Sequence, residues 1–180
     1  MGCYSNNLGN AYKDRIKGER DENIEKAIAF YQAALQVYTR DAFGQQWAMT
    51  QNNLAAAYSE RIQGERGEDL GEFKIIVAQL GDVDTEALKT AAERLQQKLG
   101  NAAVVLASIP EPDKVSLVAA FSPEVNKKGL QAGKFIGGIA QICGGKGGGR
   151  PNLAQAGGRD ASKLQSALES ARNQLVEGLG

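Results

Sequence analysis

Apolar residues recur every three or four positions through Ile24, Ala27, Ile28, Tyr31, Ala34, Leu35 and Tyr38. That period predicts an amphipathic helix with a wide apolar stripe. On either side of it a segment repeats. Asn6-Asn-Leu-Gly-Asn-Ala-Tyr12 returns as Asn52-Asn-Leu-Ala-Ala-Ala-Tyr58, and Asp14-Arg-Ile-Lys-Gly-Glu-Arg20 as Glu60-Arg-Ile-Gln-Gly-Glu-Arg66, both 46 residues later. A constant offset of this size is the signature of a helical solenoid, so the unit reads as helix, charged glycine-containing turn, helix. The second copy stops early: Glu68-Asp-Leu70 aligns with Glu22-Asn-Ile24, where a second helix would begin, and the pattern then ends. About three helices are expected over residues 1–70. So few repeats do not bury their apolar faces alone, and the helices must pack on the rest of the chain, on another copy of it, or on a protein partner.

From Glu72 the period changes. Phe73–Ala78 is rich in β-branched residues and predicts a strand. Asp84 is placed to cap a helix carrying Leu88, Ala91, Ala92, Leu95 and Leu99 on one face and ended by Gly100. Ala102–Ala107 is continuously apolar, the pattern of a strand covered on both sides. A turn over Ile109–Asp113 leads to a strand from Val115 to Phe121, which should pair with it antiparallel. Ile136, Ile139, Ala140 and Cys143 mark a further helix, with Gly133, Gly137 and Gly138 permitting close packing. Ser162 and Gln165 form a capping box for a last helix bearing Leu164, Leu168, Ala171 and Leu175. The fold class is therefore α+β: a helical hairpin repeat over 1–70, then a small β-α-β-β-α-loop-α domain over 71–180.

The first seventy residues resemble a tetratricopeptide repeat. Leu8, Gly9 and Tyr12 match its first helix, and Ala27, Tyr31 and Ala34 the small and aromatic positions of its second. The period of 46 departs from the family's shorter one, with extra residues around Gly18, and Ala55 replaces the glycine in the second copy.

Composition narrows the chemistry. At 180 residues, 42% apolar and 23% charged, the chain has the make-up of a globular protein. No run of apolar residues is long enough to span a membrane, and Met1–Tyr12 has no basic segment followed by an apolar one, so a cytoplasmic protein without membrane contact is expected. Met-Gly-Cys invites N-terminal acylation, but Asn6 stands where the pattern requires Ser or Thr. Two distant cysteines, Cys3 and Cys143, form no disulfide framework. The absence of histidine excludes Ser-His-Asp and Cys-His catalysis and removes the commonest zinc ligand. Asp82 and Asp84 read as turn and cap residues. No metal, no cofactor and no enzymatic activity are expected.

Net charge is zero, yet Asn126–Arg159 holds six cations (Lys127, Lys128, Lys134, Lys146, Arg150, Arg159) and no acid. Eleven of the 22 glycines fall between Gly129 and Gly158, which sets this basic stretch apart. Its densest part is Gly144-Gly-Lys-Gly-Gly-Gly-Arg-Pro-Asn-Leu-Ala-Gln-Ala-Gly-Gly158. Glycine lets backbone amides turn outward into a concave anion site, which Lys146, Arg150 and Arg159 would reinforce. Neither a Walker loop nor a dinucleotide fingerprint fits: glycine follows Lys146, and Arg150 fills the third glycine position.

This segment resembles the signature of the DHH-associated RNA-binding domain near the C-terminus of bacterial alanyl-tRNA synthetases. Lys98–Ala107, Lys114–Ala119, Leu130–Lys134 and Ser162–Leu164 agree with that family, so the resemblance spans residues 72–176. It implies a module that contacts the outer elbow of tRNA. Implied RNA contacts are Lys134, Gly144, Gly145, Lys146, Gly147, Gly148, Gly149, Arg150, Gln155, Gly157, Gly158 and Arg159. Asn152 replaces a common aspartate. The family's catalytic core and its histidine-containing editing domain have no counterpart here. Two other readings stand beside tRNA binding: a protein-interaction scaffold built on the helical repeat, and a rearranged or fused gene product, suggested by the abrupt change of pattern between Asp69 and Glu72.

Overall fold

The computed structural model describes residues 2–15, 18–65 and 68–180, which divide into two units, Met1–Glu65 and Arg66–Gly180. The repeated Asp14–Arg20 and Glu60–Arg66 segments lie partly outside the described residues.

The first unit holds the three expected helices, α1 (Gly2–Lys13), α2 (Arg20–Leu35) and α3 (Gly44–Glu65). α2 lies against both of the others and buries Ile24, Ala27, Ile28, Tyr31 and Ala34, the stripe expected from its period. Tyr38 lies past its end, its amide still bonded to the Ala34 carbonyl at 2.9 Å. The glycine of the first repeat has a steric cause. A Cβ on Gly9 would stand 2.6 Å from Cδ1 of Tyr31, whose hydroxyl donates to Asn10 Oδ1 at 2.8 Å. In the second copy the chain runs into a strand instead of a long helix, and Ala55 takes this position.

That strand corrects one expectation. Glu68–Leu70, aligned by the repeat with a helix start, is β1, paired antiparallel with β2 (Phe73–Gln79). Gly71 turns the chain at φ +75°, its amide bonded to Asp69 Oδ1 at 3.0 Å, and the Arg172 guanidinium grips the Glu68 carboxylate with two nitrogens. Ladder partners outweigh local helix propensity here.

The rest of the second unit runs α4 (Thr85–Leu99), β3 (Ala102–Glu111), β4 (Lys114–Phe121), α5 (Pro123–Lys127), α6 (Ala132–Ile142), β5 (Lys146–Gly149), β6 (Leu153–Gly158) and α7 (Leu164–Leu179). The fold is α+β, as expected. The expected loop between the last two long helices, however, is a β-hairpin. It extends the sheet to six strands in the order β1-β2-β3-β4-β6-β5. β2 and β3 are parallel, joined through α4, and the other pairs are antiparallel. A glycine run has neither β propensity nor alternation, so nothing in residues 146–149 announces a strand.

Capping follows the sequence at one end of the unit and departs from it at the other. Asp84 caps α4 by accepting from the Ala87 amide at 2.7 Å, and Gly100 ends it at φ +78°. α7 lacks the expected Ser162–Gln165 box. Asp160 instead caps a 3-10 turn, Ala161–Lys163, accepting from the Ser162 amide (3.0 Å) and hydroxyl (2.6 Å). Those bonds, the hydroxyl's first, hold the Asp160 carboxyl below its ordinary pKa.

The sheet centre is sandwiched, which explains the unbroken apolar run of β3. α6 and α7 cover the face bearing Ala103, Val105, Leu117, Ala119 and Phe121. α4 covers the opposite face of β3 and β4 with Ala87, Leu88, Ala91, Ala92 and Leu95. At the far edge α6 rests directly on the hairpin. A Cβ on Gly133 would lie 2.5 Å from the Gly149 carbonyl oxygen, and one on Gly137 3.1 Å from that of Gly147, whereas one on Gly138 would meet nothing within 4 Å.

Gly133→Ala is therefore expected to cost about 1–3 kcal/mol through overpacking. Gly138→Ala, five residues on and on another face of the helix, should add about 0.5–1 kcal/mol by restraining the unfolded chain. Urea unfolding of both variants measures the contrast; equal effects would mean that α6 does not sit on the β5 edge.

Candidate functional site

The glycine-rich stretch begins as the end of α6. Cys143 is the C-cap and Gly144, at φ +63°, the left-handed residue after it. The Gly144 amide donates to the Gln141 carbonyl (3.0 Å) and the Gly145 amide to that of Ala140 (2.9 Å), a complete Schellman motif. At the hairpin tip the Arg150 amide donates to Leu153 O (3.0 Å), and after β6 the Arg159 amide donates to Cys143 O (2.9 Å). Three amides that the sequence assigns to an outward-facing anion nest (Gly144, Gly145 and Arg150), and that of Arg159 beside it, are thus consumed by helix capping and turns.

The glycines separate by what surrounds them. A Cβ at Gly145, Gly147, Gly149 or Gly158 would collide with the facing hairpin strand or with Cys143. Those at Gly148 and Gly157 would meet nothing closer than 3.7 Å. The register explains the split. Lys146 pairs with Gly157 and Gly148 with Gln155, and side chains of directly opposed residues share a face. Gly147 and Gly149, opposite Ala156 and Ala154, belong to the α6 side; Lys146, Gly148, Gln155 and Gly157 belong to the other.

On that other face the hairpin is open, because α4 reaches no further than β4. Ser116, opposite Gly157 in the ladder, bonds Thr85 of α4 through their hydroxyls at 2.9 Å. Between α4 and the hairpin lie two adjoining hollows that share Gln155. One of about 810 Å³ is lined by Thr85, Lys114, Ser116, Lys146, Gln155 and Arg159, with Gly144, Gly145, Gly157 and Gly158 in its floor. The other, of about 490 Å³, is lined by Glu86, Lys89, Glu93, Arg150 and Gln155, with Gly148 and Gly149.

Charge is divided between the two sides. The acids lie on α4 (Glu86, Glu93) and on the β3–β4 connection (Glu111, Asp113), where Glu86 and Glu111 pair with Lys89 and Lys114 at 3.8 and 2.9 Å. On the hairpin side Lys146, Arg150 and Arg159 are exposed and, among the described residues, make no ion pair. Of the other cations in the acid-free stretch, Lys127 pairs with Glu124 at 3.4 Å, and Lys128 lies 5.5 Å from the Phe73 ring centroid. Lys134 is exposed on α6, on the opposite side of the sheet; neither it nor Gly147 lines a hollow. Thr85, Lys89, Lys114 and Ser116 join the site unannounced, because their elements are remote in sequence and meet the hairpin only through the sheet.

Among the described residues, no three His, Cys, Asp or Glu side chains gather as they would around a metal ion, and no helix is long and apolar enough to cross a membrane.

Residues 72–177 match the model of the DHHA1 domain family. The alanine–tRNA ligase of Trichormus variabilis is 78% identical over 111 residues, 62% of this chain and 13% of the ligase. That of Nostoc punctiforme is 74% identical over 110 residues, 61% of this chain and 12% of the ligase. The chain thus spans about an eighth of the length of these curated relatives. Among solved structures, the C-Ala domain of Aquifex aeolicus alanyl-tRNA synthetase superposes with a TM-score of 0.55 at 31% identity, covering 63% of this chain and 97% of that one.

Cys143 reports on the integrity of this region. Its side chain is fully buried beside Gly158, and burial, with the Asp160 carboxylate second, raises its thiol pKa. In the native protein a thiol reagent at neutral pH should modify exposed Cys3 rapidly and Cys143 only after denaturation. Comparable rates for both would show that the α6–hairpin junction is open.

Proposed function

The chain belongs to the DHHA1 domain family through residues 72–177, and from that premise we propose that its second unit is a tRNA-binding module with no catalysis of its own. One observation carries the reading. Lys146, Arg150 and Arg159, which make no ion pair among the described residues, flank a strip of sheet where Gly148 and Gly157 carry no side chain and no packing demands glycine. A floor without Cβ atoms admits a sugar-phosphate backbone to van der Waals contact, and the flanking cations neutralise its phosphates. Gln155, between the two hollows, offers a donor and an acceptor to riboses or base edges.

The remaining proposed site residues divide by role. Gly144, Gly145, Gly147, Gly149 and Gly158 hold the hairpin's shape, and Lys134 adds long-range attraction from the α6 side. The alanine–tRNA ligase relatives and the C-Ala neighbour support tRNA as the nucleic acid. A cytoplasmic place of work follows from that ligand. The absence of histidine from these residues supports a binding role over an enzymatic one for this unit. The first unit reads as a tetratricopeptide-like fragment, which the seating of Tyr31 over Gly9 supports.

With three or four phosphates engaged, the log–log dependence of tRNA affinity on salt should have a slope of about −2 to −4. Replacing Lys146 and Arg150 together by Ala should weaken binding about tenfold or more and flatten the slope by about 2. Filter binding at several salt concentrations, with an RNA hairpin as competitor, measures both. Unchanged affinity in the double variant would remove the hairpin from the interface.

A further inference from the structure

We propose that the acidic wall of the groove reads ribose 2′-hydroxyls and thereby selects RNA over DNA. The proposal rests on the RNA-binding reading of the hairpin and gives a role to the residues which that reading leaves over. Carboxylates beside a polyanion are a cost, because like charges repel. Glu86, Glu93, Glu111 and Asp113 nevertheless line the two hollows that hold Lys146, Arg150 and Arg159.

The hollows repeat one arrangement. In the smaller, Arg150 of the hairpin and Glu93 of α4 share the lining with Gly148. In the larger, Lys146 and Arg159 share it with Asp113 of the β3–β4 connection and with Gly157. Glu86 and Glu111 are engaged by Lys89 and Lys114. Glu93 and Asp113, like the three hairpin cations, make no ion pair among the described residues. Each hollow therefore combines an unpaired carboxylate, unpaired positive charge and a glycine over which a Cβ would meet nothing closer than 3.7 Å.

A cation and a carboxylate that share a cavity without meeting suit a ligand with an anion at one end and a hydrogen-bond donor at the other. An ionised carboxylate can only accept. On a ribonucleotide the phosphate is the anion, and the neighbouring 2′-hydroxyl is the donor that the sugar supplies; deoxyribose has none. Amino groups on the bases also donate, but they are the same in RNA and DNA. The side-chain-free floor at Gly148 and Gly157 brings the sugar-phosphate backbone to the sheet, which puts the sugar between the walls. Against a DNA strand the same carboxylates accept nothing and only repel, which penalises the wrong partner.

The test titrates the full chain, by filter binding, with a tRNA transcript and with its 2′-fluoro counterpart, which keeps the sugar pucker but has no hydroxyl hydrogen. The native chain should bind the fluoro transcript at least about tenfold more weakly, the loss of one hydrogen bond to a charged group. In the double variant Glu93→Gln with Asp113→Asn the two transcripts should bind within about threefold of each other, mainly because the fluoro transcript gains affinity once the repulsion is gone. Both substitutions keep the side-chain shape and break no ion pair, so circular dichroism should be unchanged. Equal affinity of the native chain for both transcripts overturns the proposal. So does a double variant that strengthens both by the same factor, which would make the acids a plain source of repulsion. In either case binding that still weakens in Lys146→Ala with Arg150→Ala leaves the tRNA reading in place, whereas a native chain that binds neither transcript removes both.

Discussion

The second unit depends on one contact, the approach of α6 to the edge strand β5 with no side chain between them. Helix glycines at Gly133 and Gly137 face the carbonyl oxygens of Gly149 and Gly147, and a single methyl group would push the two backbones apart. An edge strand made of glycine has little intrinsic stability, since it has no side chains to pack and the most conformational freedom to lose. Apposition to a helix rich in buried apolar residues (Phe135, Ile136, Ile139, Ala140) supplies what the strand lacks.

This constraint shapes the site. Strand alternation means that residues facing α6 must be small, while the residues between them face away and are free of that demand. Lys146, Gly148, Gln155 and Gly157 fall in the second set, and there the sheet lies bare because α4 ends its coverage at β4. The glycines of one motif thus answer two demands: some permit helix packing, others leave a flat floor. Electrostatics follows the same division. Acids on α4 and the β3–β4 connection are partly neutralised by neighbouring lysines, while the hairpin carries cations without acids.

The helical unit shows the reverse case, a repeat whose two copies have unequal surroundings. α2 sits between α1 and α3, so one face of each is covered, but not the equivalent face. Gly9 accommodates Tyr31 on one, and Leu54 is buried on the other. The exposure of Leu8 follows from that inequality and not from any difference between the repeats.

Much of the architecture was legible in residue periodicity. The helix period gave α2, α4, α6 and α7 with their buried faces, and the apolar run gave the doubly covered β3 and its antiparallel neighbour. The cations and glycines marked the segment that lines the groove. Helices are readable because their partners are three and four residues away, and a buried strand because both faces must be apolar. What the chain's own order could not convey lay in contacts between distant segments. β1 exists because β2 and Arg172 receive it, and the β5–β6 hairpin because α6 and β4 do. Whether a glycine amide points to solvent or into a cap depends on the helix behind it, so the expected nest dissolved into a Schellman turn while the cations beside it stayed exposed. Sequence by itself determined which residues carry charge and which can approach closely. Tertiary structure alone decided the faces on which they meet, because a sheet's register and its covering helices are set by packing across the whole unit.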